Sequence, residues 1–400
     1  MASFSLSITQ RADPKLACNT ANFLPNFWKA DPKLARNTAN FVPNFWVTHA
    51  CKEKELEGLK EEVRKELKAT AGKSSQLLNF IDSIQRLGLA YHFEREIEEA
   101  LKVMYETYNL VDDDNDDLAS AALRFRLLRQ EGYHIPSGKS FCPIFAANVF
   151  KKFKDEEGNF KESLVGDLPG MLALYEATHL MVHGEDILDE ALAFTTAHLQ
   201  SMAPDSDNPL KKQVIHALER PIRKSLIRVE ARHYISIYQE YDSHNKSLLK
   251  LAKLDFNLLQ SLHRKELSEI TKWWKGLDFA TKLPFARDRI VEGYFWVLGV
   301  YFEPQYFLAR RILLKVIAMT SIIDDIYDAH VSGRKFQRYL LLHLQMGCQQ
   351  HRSTPRLYEV VLSGSLRCLE EIEEEMTEQE KPYRVHYAKQ AVWHQCPFLF

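Results

Sequence analysis

Paired cysteines are missing from this chain. Its six, Cys18, Cys51, Cys142, Cys348, Cys368 and Cys396, are widely scattered, with no C-x-x-C pair and no zinc spacing. They read as the reduced thiols of a cytosolic protein. A membrane-length apolar run is missing too. The longest is interrupted by Arg310, Arg311 and Lys315 and falls short of the roughly 20 residues that cross a bilayer, so no membrane partner is expected. Neither charge sign dominates: 52 Lys and Arg against 54 Asp and Glu leave a formal charge of -2, which argues against nucleic acid or an anionic membrane as a partner. Met1 to Gln10 has neither the basic start and apolar core of a secretory signal nor an Arg-rich transit pattern, so the expected location is cytoplasmic. What the chain does have is apolar material. With 46% hydrophobic and 11% aromatic residues, 400 residues can build one or two packed domains and a deep pocket.

No stretch alternates as a sheet would, and the pattern from Glu53 onward is helical. Leu56, Leu59, Val63 and Leu67 recur at three-to-four spacing, as do the apolar residues of Leu77 to Leu89. Further helices are expected over Ala119 to Gln130, Leu168 to Leu180, Ile187 to Met202, Pro221 to Tyr238 and Asn245 to Trp274, punctuated by Pro204, Pro209 and Asp242-Ser243. The chain is read as all-α. The segment Ala12 to Trp28 returns almost unchanged as Ala30 to Trp46, a local duplication within an N-terminal arm. The expected organisation is an arm over 1–46, a helical domain over 47–243 and a second domain over 244–400 that contains the main acidic cluster.

That cluster is Asp324-Asp325-Ile326-Tyr327-Asp328, at the end of the apolar run Ile312 to Ile323. On a helix Asp324 and Asp328 stand one turn apart on one face, with Asp325 beside them. Anions near a helix C-terminus oppose the macrodipole and call for a cation. Mg²⁺ takes such a site readily, using one or two carboxylates, several waters and the phosphates of a substrate. A greasy wall ending in oxygen ligands therefore suits an apolar chain carrying a diphosphate. Ser321, Thr320 and Ile317, three, four and seven residues before Asp324, share its face and would floor the pocket. Upstream, Arg287 and Arg289 can reach an anion from two sides if they sit in a loop or first turn. Trp296 lies two turns beyond Arg289, and its indole face could stabilise a cation in the same cavity.

The other acidic run, Asp112 to Asp117, is read as a helix start before Leu118. His183 to Glu190 is read as a turn followed by a helix start, and His179 and His183 receive no role.

Arg287-Asp288-Arg289, Tyr294-Phe295-Trp296 and Asp324 to Asp328, with Arg124 to Gln130, His183 to Ala191 and Tyr301 to Tyr306, resemble a plant terpene synthase of the cytosolic sesquiterpene type over about Arg36 to Ala329. The resemblance implies an α/α barrel-like N-terminal domain and a class I terpenoid synthase bundle. It implies Asp324 and Asp328 as Mg²⁺ ligands (Mn²⁺ as a substitute), assisted by Asp325, with Arg287 and Arg289 receiving diphosphate and Trp296 lining the pocket. The tandem-Arg signature of plastid monoterpene members is not evident, which fits farnesyl diphosphate as the small-molecule substrate. The protein is expected to act as a monomer. The likeness weakens over His330 to Ser353 and returns at Leu357 to Leu362 and Tyr383 to Lys389, and Ser140 to Asn148 reads as an insertion. The family's second metal motif is not found, which keeps open the alternative of a truncated, inactive homologue. A chain-elongating prenyltransferase would need a second D-D-x-x-D, and none is present.

Overall fold

The three-to-four apolar spacing becomes helix throughout the computed structural model, which describes residues 44–70, 72–107, 117–135, 149–202, 208–329, 356–378, 383 and 385. Residues 1–43 of the duplicated arm, Asp112 to Asp116, the insertion Ser140 to Asn148 and the patch His330 to Ser353 lie outside them. Contacts between Cα atoms divide the chain into two units, Met1–Leu254 and Asp255–Phe400. The division falls inside a long helix, downstream of the Ser243 to Asn245 boundary read from the sequence.

In the first unit, α1 (Asn44–Ala69), α2 (Ser74–Arg86), α3 (Glu94–Thr107), α4 (Leu118–Gln130), α5 (Leu168–Thr178), α6 (Asp186–Met202) and α8 (Ile227–Tyr238) contribute to one main core, and α7 (Pro209–Glu219) packs with α5 and α6 in a smaller one. Each buries the residues its periodicity brings to one face: Leu59, Val63 and Leu67 on α1; Leu77, Leu78, Ile81 and Ile84 on α2. Starts follow local chemistry. Asp117 accepts the Ser120 amide at 2.7 Å and begins α4, and Asn208 before Pro209 begins α7. Gly184, at φ +89°, makes the turn ahead of α6. The helix expected from Pro221 is corrected. Ile222–Lys224 is a single 3-10 turn, and Ser225 and Leu226 take extended backbone, so α8 starts only at Ile227.

Helix α9 (Lys246–Leu277) begins in the first unit, where Lys250 pairs with Glu55 at 2.7 Å and Ser247 Oγ donates to Glu62 at 2.9 Å. Its later part belongs to the second unit together with α10 (Ile290–Val300), α11 (Phe307–Ala329) and α12 (Arg356–Glu378). Among the described residues there is no β-strand, only an isolated bridge between Lys154 and Phe160, and no helix is long and apolar enough to cross a membrane.

Candidate active site

Leu283 and Ile290 are buried, and they pin the two ends of a loop whose middle, Arg287 to Arg289, stays near the surface. Asp288 Oδ1 accepts the Ile290 amide at 3.2 Å, so the loop also opens α10. This is the loop-or-first-turn setting that two cations need if both are to reach one anion. Across from it, the last turns of α11 carry the aspartates, near the helix end where the sequence put them.

Asp325 is the aspartate that turns inward. It is nearly buried, accepts the Arg287 backbone amide at 2.8 Å, and holds the Arg289 guanidinium through both oxygens at 3.0–3.1 Å. Ser321, one turn earlier, receives a further bond from Arg289 Nη1 at 2.8 Å. Asp324 and Asp328 are exposed, and among the described residues neither has an ion-pair partner. A cleft of about 280 Å³ is lined by Phe285, Arg287, Arg289, Asp325 and Asp328. The structure thus brings both arginines to two of the three aspartates.

Other candidates sit elsewhere. Trp296 is 50% exposed and does not line the cleft. Helix α10 turns Gly293, Tyr294 and Val297 toward its neighbours, which leaves Val291, Trp296 and Val300 on the opposite, exposed face. Thr320 is exposed, with its hydroxyl donating to Val316 O at 2.9 Å, and Ile317 is half-buried facing Gly293; neither lines the cleft. Nor does Asp324, although its place one turn before Asp328 keeps the two carboxylates on one face.

The donor set fits Mg²⁺ without amounting to a complete cage. Among the described residues no three His, Cys, Asp or Glu side chains gather around one point. Two free carboxylates one turn apart beside two guanidiniums are what a hydrated Mg²⁺ shared with a diphosphate requires.

Two buried cations, Arg310 and Lys315, read from the sequence only as interruptions of an apolar run, are paired inside the fold. Arg310 is fully buried and bound by Glu266 at 2.7 and 2.8 Å, Tyr294 joins the same carboxylate at 2.8 Å, and Lys315, also fully buried, pairs with Glu371 at 2.6 Å and lies 5.4 Å over the Trp273 ring. The signal was available. A cation interrupting an otherwise apolar helical run must be paired inside, although the run does not name its partner.

Residues 27–218 match the terpene synthase N-terminal domain, and residues 275–399 match the metal binding domain of the terpene synthase family. The second match continues well beyond Ala329, so the likeness to the family extends further than the motifs alone indicated. The chain is 54% identical over 390 residues to (-)-germacrene D synthase of Vitis vinifera, covering 98% of this chain and 67% of that one. It is 52% identical over 395 residues to valencene synthase of the same plant, covering 98% and 68%. Isoprene synthase from grey poplar leaves, solved in complex with three Mg²⁺ ions and dimethylallyl-S-thiolodiphosphate, superposes with a TM-score of 0.76 at 33% identity, over 87% of this chain and 64% of that one. The chain spans about two thirds of the length of the relatives it matches. With both family domains matched and half of its residues shared with these synthases, the chain belongs to the terpene synthase family.

Proposed function

We propose that this protein is a Mg²⁺-dependent sesquiterpene synthase that ionises farnesyl diphosphate, cyclises the resulting cation and releases diphosphate. The observation that carries the reading is the division of labour among the aspartates: Asp325 is consumed by Arg289, while Asp328 and its neighbour Asp324 stay free beside the cleft. The names of the relatives, germacrene D and valencene synthases, support the sesquiterpene class. The likeness to the relatives lends the inactive alternative no support.

Asp324 and Asp328 would hold the metal. When bound, Mg²⁺ supplies charge neutralisation on the leaving diphosphate. The residues of the chain do the rest. Asp325 and Ser321 fix the Arg289 guanidinium, so that it receives diphosphate oxygens without first searching for a conformation, and Arg287, held to Asp325 by its backbone amide, adds a second cation beside it. Of the α11 residues before the aspartates, Ser321 reaches the cleft through Arg289, whereas Ile317 and Thr320, like Trp296 on α10, lie outside it and take no part in the step. Residues 47–243 act as the helical N-terminal domain and 244–400 as the catalytic one, in a monomeric cytoplasmic enzyme.

Incubating the chain with farnesyl diphosphate and Mg²⁺, followed by gas chromatography, should yield a C15 hydrocarbon or alcohol together with free diphosphate. Turnover of a shorter prenyl diphosphate alone would overturn the substrate class, and no product from either would overturn the reading.

A further inference from the structure

Arg310 is enclosed on every side. Its Nε and Nη2 donate to Glu266 Oε2 and Oε1 at 2.8 and 2.7 Å, and Nη1 donates to Glu303 O at 2.6 Å. The Tyr294 hydroxyl donates to Glu266 Oε2 at 2.8 Å. One carboxylate on α9 therefore ties α10, through Tyr294, to α11, through Arg310. Burial and the adjacent Glu266 carboxylate push the Tyr294 phenol well above its ordinary range, so it remains an O–H donor at any working pH.

Helices α10 and α11 meet again at Arg289 with Ser321 and Asp325. Position 289 precedes 294 while positions 321 and 325 follow 310, so the two helices run antiparallel and the two ties bracket their contact. Between the ties, a Cβ on Gly293 would lie 2.9 Å from Leu314 Cδ1, which shows how closely the helices approach. A guanidinium held by both carboxylate oxygens tolerates little sliding of one helix past the other. None of Glu266, Tyr294 or Arg310 lines the cleft, so any influence they have on it must pass through this register.

We propose that Glu266 is a positioning residue for the diphosphate cleft, holding α10 and α11 in the register that presents Arg289 to Asp325. The proposal rests on the reading of the cleft given above. Truncating Glu266 would strand a buried arginine and unfold the unit. Tyr294→Phe is the usable probe, because it keeps the ring and removes one hydrogen bond.

Binding of inorganic diphosphate with Mg²⁺ to the full chain, followed by calorimetry, reads the effect without turnover. Tyr294→Phe should weaken binding roughly fivefold to tenfold, the range of one buried hydrogen bond, with a melting temperature within a few degrees of wild type. In an Arg289→Ala background the same substitution should add less than about twofold, since it acts through Arg289. Wild-type affinity in Tyr294→Phe, its unfolding, or an undiminished loss on top of Arg289→Ala would each overturn the positioning role. Absence of diphosphate binding by the wild type would instead overturn the reading of the cleft, and this role with it.

Discussion

The two units pair their buried charges alike and differ in the charges gathered at one cleft of the second. In the first, charged groups pair with one another. Arg86 reaches Gln213 and Glu230 and stacks 3.9 Å over Tyr234, Glu230 also meets His216 at 2.7 Å, Arg126 holds Asp82, and Arg129 grips Glu185 along with the Ile135 and Leu180 carbonyls. In the second, Arg310 and Lys315 are buried and paired in the same manner, but Arg287, Asp324 and Asp328 are left without ion-pair partners among the described residues. A closed network contributes geometry. Unsatisfied charges gathered at one cleft await a ligand that completes them. This contrast, more than the number of acidic residues, separates the candidate site from the scaffold.

Substitutions can break the contrast. The largest effect is expected from Asp324→Ala or Asp328→Ala, which should lower kcat/KM for farnesyl diphosphate by about a thousandfold or more, on the order of 4 kcal/mol of transition-state stabilisation, while the melting temperature stays near wild type. Steady-state kinetics beside a thermal scan checks both halves. Glu185→Ala should do the reverse. It strands the 9%-exposed Arg129 side chain, costing roughly 3–5 kcal/mol of stability, and leaves kcat per folded molecule unchanged. Asp325→Asn falls between, because it keeps the shape and removes the charge that anchors Arg289. A rise in KM of about tenfold to a hundredfold, with a smaller change in kcat, is expected for loss of charge-assisted bonds worth roughly 1.5–3 kcal/mol. An Asp325→Asn protein with wild-type KM would show that the Arg289 clamp is irrelevant to binding.

Much of this was legible in the sequence, and the remainder follows a pattern. Helices announced by periodicity and caps, such as α4 behind Asp117 and α6 behind Gly184, appear within a residue or two of expectation. Both arginines are brought to Asp325 and Asp328, whereas Asp324 lies outside the cleft lining. What the sequence could not settle was direction and partner. Asp325 shares its helix turn with Asp324 and Asp328, and only the fold shows that it is the one that faces Arg289. Trp296 was aligned with Arg289 by counting turns, but the face of α10 that turns inward is chosen by Gly293, Tyr294 and Val297. Pairs such as Glu266 with Arg310, 44 residues apart, leave no local trace.

The smallest effect sharpens the picture of the first unit. Glu176 lines a cavity of about 720 Å³ there, and burial pushes its carboxyl up to about 7 even though Arg86 and Arg126 pull it down. Its folded-state pKa therefore lies above the unfolded value of about 4.5. The folded protein holds this proton more tightly, so the stability tied to it is complete below pH 4.5, falls as pH rises to 7, and is level above that. A shift of that size corresponds to about 3 kcal/mol at most, and water in so open a cavity should reduce it to roughly 1 kcal/mol. His179 acts in the opposite sense: burial, aided by Lys224, lowers it to about 4, so its contribution is lost as pH falls from 6.5 toward 4. The two slopes oppose each other between pH 4.5 and 6.5 and should nearly conceal one another in the wild type. Glu176→Gln removes one of them. Denaturant titrations at pH 5 and pH 7.5 should then show the variant gaining stability relative to wild type at the higher pH and not at the lower. An equal difference at both would mean that the carboxyl is ionised throughout, and that the arginines of this cavity outweigh its burial.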